Sequence, residues 1–480
     1  MVQTDAGPDV AAELTSEYER IFSFFENVAF HAQRSPKGLT QVVVFQNDED
    51  YRKVAPRLTD GFFRARGGAP YDPHPLLVMS HVGGNSEVLE TFCHELTHRF
   101  VAFHFPTAPT WVHEGLATYY QTLRIEGDKA IVGTIPARHF NLGKPAKRAE
   151  SQGWIASTAS GTFSLNWLPP SQDIRSLSHR DFYAEDIADG EKAATTRQLN
   201  YVAAWAEVHP LLLGPDDLQS RFVRYLNGLA AGRTDAWATA FDAASERVLE
   251  AEYRDVVTRL STRSGELTAP PAPTRPVQSR AMQSWELPWL RASLRNWGDA
   301  ADRQQARSEI EEVVRMAPNR ADGYLLRAAL SALDGRDAEQ RRDIDLAITH
   351  DPDDPRALGA KANLLMTDEA KKAPANRNYA EVEAVVKRLL PRAAGARQLL
   401  VLAHFEELQG HAPKAIQYAA RAASQDAACW DCYWAIGEFE LSRNDARRAV
   451  RFLRVAANMA GEHSPPLLRQ RLGEALRLAE

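Results

Sequence analysis

The sequence predicts an α+β domain followed by an all-α repeat array. Three observations carry this. β-Branched apolar runs, as at residues 40–45 and 75–80, alternate with amphipathic stretches in the first half. Pro270, Pro271, Pro273 and Pro276 then cluster among small and polar residues. Beyond them, small residues recur at a fixed spacing. With 480 residues the chain is too long for one core. The boundaries read from these signals are a domain over 1–262, a proline-rich linker over 263–284 and a helical domain over 285–480.

Bulk composition excludes some functions. Hydrophobic residues make up 44% and charged residues 25%, as in ordinary globular chains. A net charge of -6 gives no reason to expect nucleic acid or an anionic membrane as partner. No apolar run reaches the length of a membrane span. The first ten residues lack a basic region followed by an apolar stretch, so they are not a signal peptide. The chain reads as starting inside an element. The expectation is therefore a bacterial periplasmic or secreted protein if a targeting segment has been removed, and a cytoplasmic one otherwise. Three cysteines, Cys93, Cys429 and Cys432, are too few for a disulfide scaffold.

The elements follow in order. Residues 9–33 fit one helix, with Leu14, Tyr18, Ile21, Phe24 and Phe25 on its apolar face. Residues 40–45 read as a strand, 48–58 as a helix, and 62–66 and 75–80 as further strands. Helices are expected over 86–104 and 111–123, a hairpin around Gly127, and helix again over 197–213 and 217–262. In the second half Pro318 and Pro352 lie 34 residues apart, as do Gly410 and Asn444, Ala415 and Ala449, and Ala422 and Ala456. Gly335 and Ala347 join this register if a seven-residue insertion lies near residues 369–375. This pattern over residues 285–480 resembles tetratricopeptide repeats, whose paired helices cross at small residues.

The chemistry lies in His94-Glu95-Leu96-Thr97-His98. Leu89, Phe92, Cys93, Leu96 and Phe100 recur at three- and four-residue steps, so the segment is an amphipathic helix. On a helix, His94 and His98 lie one turn apart on one face and can offer two imidazole nitrogens to one ion. Glu95 is set beside them, placed to take a proton from metal-bound water. A second helix follows at Trp111-Val112-His113-Glu114-Gly115-Leu116-Ala117-Thr118-Tyr119-Tyr120, and Glu114 on it supplies a third donor. The small Gly115 and Ala117 are expected to let the two helices approach. Two imidazoles and a carboxylate suit one Zn2+ per chain, with a fourth position open.

The pair HELTH and WVHEGLATYY resembles the gluzincin metallopeptidases, in particular the bacterial peptidase MA-like domains. The resemblance implies a zincin fold, with His94, His98 and Glu114 as zinc ligands, Glu95 as general base and a protein or peptide as substrate. It also implies an edge strand before the active-site helix, for which residues 76–80 stand in place. That strand is either an edge that pairs with substrate or an ordinary core strand. Tyr201, in Asn200-Tyr201-Val202-Ala203-Ala204-Trp205, is the candidate oxyanion donor by the same resemblance, or a packed helix tyrosine. No acidic residue stands between Met79 and Glu87 to hold a substrate's free amine, so internal cleavage is expected.

Cys429-Trp430-Asp431-Cys432 is C-x-x-C inside a repeat helix, a reversible disulfide or two packing cysteines. The leading expectation is thus a zinc-dependent endopeptidase. The alternative is a catalytically weak zincin-fold scaffold whose repeats bind a protein partner.

Overall fold

The computed structural model describes residues 1–30, 36, 40–55, 61–64, 76–81, 85–136, 156–157, 163–164, 168–259, 263–271, 278–425, 429–460 and 465–479. The chain forms two compact units, each discontinuous in sequence. One comprises Met1–Ala11, Pro36–Ser80 and Gln278–Glu480, and the other Ala12–Ser35 and His81–Val277. The sequence boundary at 263–284 would instead assign the first 262 residues to one domain. What ties the N-terminal strands to the C-terminal helices is a shared core.

That core is built on a four-stranded sheet of β1 (Val2–Thr4), β2 (Gln41–Phe45), β3 (Gly61–Arg64) and β4 (Leu76–Ser80). The order is β1-β2-β4-β3, with β1 and β4 parallel to β2 and β3 antiparallel to β4. Val43 pairs with Val78, and Gly61 with Met79. Every residue of β2 and β4 is buried, which is why both read as continuous apolar runs. On one face Val43, Phe45, Leu76 and Val78 pack with Leu290 and Leu294, which come from beyond the proline-rich stretch. Burying one such leucine contributes about 1.5–3 kcal/mol. Of the two readings of residues 76–80, the core strand holds and the substrate-pairing edge is corrected: β4 has β2 on one side and β3 on the other.

The other unit holds α1 (Pro8–Phe24, entering from the first unit), α2 (Asn85–His104) and α3 (Thr110–Tyr120). Leu14, Tyr18, Ile21 and Phe24 are buried along α1, and Tyr18 stacks on Phe92 of α2 with ring centroids 3.8 Å apart. The helix expected to run to residue 33 instead widens to a π turn at Phe25–Ala29. The hairpin forms as β5 (Arg124–Glu126) and β6 (Lys129–Val132), with Gly127 at φ 61° in its turn. Next come α4 (Ser171–Ser176), α5 (His179–Phe182) and α6 (Gly190–Leu213). The helix expected over 217–262 is three: α7 (Asp216–Ala230), α8 (Ala236–Ala240) and α9 (Ala243–Arg259). The stretch read as linker opens with β7 (Gly265–Thr268), which completes a three-stranded sheet on β6. Pro273 and Pro276 lie outside the described residues.

The helical array of the first unit runs through α10 (Glu286–Leu294), α11 (Ala300–Met316), α12 (Ala321–Leu333), α13 (Asp337–His350) and α14 (Pro355–Lys371). It continues with α15 (Ala380–Leu389), α16 (Ala396–Leu408), α17 (Ala412–Gln425), α18 (Trp430–Ser442), α19 (Ala446–Ala460) and α20 (Pro466–Ala479). The 34-residue register is physical. Gly335, Gly410 and Asn444 close α12, α16 and α18 at φ 71°, 75° and 61°, the left-handed turn that folds each helix back on its partner. Ala347, Ala415, Ala422, Ala449 and Ala456 are fully buried where the paired helices meet. The expected insertion falls where α14 runs on to Lys371 and a 3-10 turn at Pro374–Asn376 follows. Arg356 of α14 donates to Asp322 of α12, one period away, at 3.0 Å.

Candidate functional site

α2 and α3 lie together in the second unit and bring the predicted ligands to one point. His94 Nε2 is 3.4 Å from Glu114 Oε2, and His98 Nε2 is 3.6 Å from Glu114 Oε1. One donor atom from each residue lies within 4.8 Å of the other two. Ligands held about 2.0–2.1 Å from a tetrahedral zinc stand roughly 3.3 Å apart, so the spacing suits that ion. His94 Nδ1–H donates to Gln121 Oε1 at 3.1 Å, which turns Nε2 and its lone pair toward Glu114. Glu114 Oε2 is buried without a hydrogen-bond partner, an acceptor left for a cation. These residues fit a metal.

The electrostatics agree. Burial alone would push the Glu114 carboxyl up, but His98 and His94 outweigh it and hold it at about 2. Burial takes His98 down to about 3 and His113 to about 4, so both rings are neutral, the form in which imidazole binds metal. For His94, burial is opposed by the Glu114 carboxylate beside it and by the Glu95 charge, and its pKa rises.

Glu95 is buried on α2 next to the two histidines. The Tyr201 ring lies 5.9 Å from that of His94, centroid to centroid. Burial, then the Glu114 and Glu95 charges, hold its phenol well above the usual range. Gly115 has a different neighbour from the one expected. A Cβ there would meet Val208 Cγ2 at 2.5 Å and Ala204 O at 2.6 Å, so its smallness serves the contact of α3 with α6. Two residues escape the motif. Gln121 is legible in principle, since 114, 118 and 121 share a helix face. Tyr183, whose hydroxyl donates to Glu114 Oε1, comes from a segment 69 residues away and carries no sequence signal.

The first unit has its own concavity. A cavity of about 490 Å3 is walled by α14, α16 and α18, with the start of α20. Gly359, Gln398, His404 and Trp434 are among its lining residues. Cys429, just before α18, and Cys432, in its first turn, are joined as a disulfide, both buried.

No family model and no curated protein matches the chain. Similar solved structures include PilW, described as a widely conserved type IV pilus biogenesis factor. It is 16% identical, over 42% of this chain and 89% of its own, at a TM-score of 0.33. A thermophilic TPR protein of Thermus thermophilus is 15% identical over 40% of this chain and all of its own, at 0.33. Yeast Tom70 is 11% identical over 64% of this chain and 59% of its own, at 0.31. The similar structures are tetratricopeptide-repeat proteins, and no zincin or peptidase appears among them.

This corrects the gluzincin resemblance. The metallopeptidase and hydrolase assignment rested on that resemblance, and it is withdrawn with it. The internal position of β4 also removes the substrate-pairing edge that the resemblance implied. The expectation of an all-α repeat array stands. Among the described residues no helix is long and apolar enough to cross a membrane.

Proposed function

We propose that this chain is a protein-interaction scaffold whose helical repeats bind a partner protein. The observation that carries the reading is the cavity walled by α14, α16 and α18. Stacked repeats generate such concave surfaces because each repeat presents the same face to one side. The metal centre belongs to the other unit as a structural element. His94, His98 and Glu114 hold one zinc ion that clamps α2 to α3, with Gln121 and Tyr183 orienting the ligands and Glu95 and Tyr201 beside it. The orphaned Glu114 Oε2 supports this part.

A photo-cross-linking residue placed at Trp434 tests the scaffold reading, with one at exposed Arg447 as control. A discrete protein cross-linked from 434 and not from 447 is expected. Identical patterns from both positions, or none from either, would overturn the reading. Elemental analysis tests the metal separately.

A further inference from the structure

The Cys429–Cys432 disulfide spans a sequence separation of only 3, so it joins no distant segments. Loop entropy rewards long loops most, so the bond adds little to the stability of the fold. Its surroundings are specific all the same. Cys429 and Cys432 pack with Ala396 and Leu399 of α16 and Ala422 of α17, and none of the five is more than 3% exposed.

These surroundings favour the reduced pair. Cys429 Sγ lies 3.1 Å from Asp431 Oδ1. A thiol there donates to the carboxylate, a charge-assisted hydrogen bond that the disulfide cannot make. Cys432 lies in the first turn of α18, where the helix dipole favours the thiolate that must leave when the bond opens. Cys429 is the N-cap of the same helix. The turn that opens to admit an incoming thiolate is therefore a terminal one, and helix ends fray.

The same turn is part of the cavity wall. Asp431 and, one turn on, Trp434 line it from α18, and Arg397 and Gln398 line it from α16. Gln398 Oε1 is buried there without a hydrogen-bond partner. Opening the disulfide lets the two sulfurs part to van der Waals separation, about 3.5–4.0 Å. A close-packed interior has no room to spare, so the first turn of α18 must move against α16. Each helix carries that movement to its own cavity residues.

From these contacts we infer that Cys429 and Cys432 form a redox-active centre that takes a small dithiol as co-reactant, and that its state sets the shape of the cavity. One thiolate of the dithiol attacks Cys429 Sγ, and Cys432 leaves as a thiolate that takes up a proton. The second thiolate of the dithiol attacks its own sulfur in the mixed disulfide and releases Cys429, which is protonated and donates to Asp431. Two electrons pass to the protein, the dithiol becomes a cyclic disulfide, and its two protons end on the two cysteines. The centre stands without the scaffold reading, and its effect on partner binding rests on that reading.

The test equilibrates the folded full chain with mixtures of reduced and oxidised dithiothreitol at neutral pH. Thiols are then trapped under denaturing conditions with a maleimide mass tag and counted. The free Cys93 carries one tag throughout. One tag should become three and return to one on reoxidation, with the circular dichroism of the chain unchanged. Asp431→Asn, a weaker acceptor, should raise the ratio of reduced to oxidised dithiol at the midpoint at least about threefold. On reduction, amide hydrogen exchange should quicken at least about tenfold over residues 430–438 and stay constant over 446–460 of α19.

A disulfide that opens only when the chain unfolds, or a midpoint that Asp431→Asn leaves in place, would overturn the centre. Reversible reduction with exchange over 430–438 unaltered would overturn its link to the cavity. So would a protein cross-linked from position 434 in equal yield from the oxidised and reduced chains. No cross-linked protein in either state would overturn the scaffold reading, and the tag count would still decide the centre.

Discussion

Gly115 fixes how closely α3 can approach α6, and replacing it by alanine should be costly. The added Cβ would sit 2.5 Å from Val208 Cγ2 and 2.6 Å from Ala204 O. Non-bonded carbons prefer about 3.5–4.0 Å, so each overlap is roughly 1 Å. One of the two partners is backbone and cannot rotate away. Overpacking costs about 1–3 kcal/mol, and two simultaneous overlaps argue for the upper end. Alanine returns about 1 kcal/mol of helix propensity, which leaves a net loss of about 2 kcal/mol. For a unit of this size that corresponds to a fall of about 4–8 °C in Tm, measured by differential scanning calorimetry. Val208→Ala removes one overlap and leaves the carbonyl, so a double-mutant cycle should show favourable coupling of about 0.5–3 kcal/mol. Glu114 is the preceding residue, so zinc affinity should fall in the same variant. A Tm for Gly115→Ala equal to or above wild type would refute the packing argument.

Purified wild type should carry one zinc per chain by inductively coupled plasma mass spectrometry, and Glu114→Ala should carry none; stoichiometric zinc in Glu114→Ala would remove it from the ligand set. Gln121→Leu and Tyr183→Phe should keep the metal but bind it about 10–100-fold more weakly in a chelator competition, because both orient ligands; unchanged affinity would deny them that part. His98 and His113 are held neutral in the folded apo chain, at about 3 and about 4, below the ordinary 6.5. The unfolded chain therefore takes up protons that the folded one refuses, so stability is present above pH 6.5 and falls toward pH 4. The urea midpoint of chelator-treated protein should be lower at pH 5 than at pH 7.5, and equal midpoints would contradict the burial of these rings. Asn444→Gly relieves an αL residue at φ 61° and should stabilise the array, by about 0.5–1 kcal/mol in urea melts, whereas a β-branched residue there should destabilise it.

Some of this protein was legible from residue spacing alone. The 34-residue register is local: a left-handed turn wants glycine or asparagine, and a close helix crossing wants alanine, so Gly335, Gly410, Asn444 and the buried alanines mark themselves. The juxtaposition of His94 and His98 is also local, since helix geometry places i and i+4 on one face. Glu114 needed only a short turn and an antiparallel helix. A short motif was nonetheless a poor guide to family and activity, because family lies in the whole chain's path and not in the few residues that can hold an ion.

What only the tertiary structure decided is non-local. Strand order made β4 an inner strand, and no sequence pattern separates a buried inner strand from a buried edge. Leu290 and Leu294 joined the N-terminal sheet across more than two hundred residues, because a sheet face must be covered by whatever apolar surface the chain brings to it. Gly115 faced α6 and not α2, a choice set by helix packing. Tyr183 reached Glu114, and Gln398 was left with an unpaired oxygen, through contacts between segments far apart in sequence. Hydrogen bonds across such distances depend on side-chain positions to a fraction of an ångström, and periodicity carries no information at that scale.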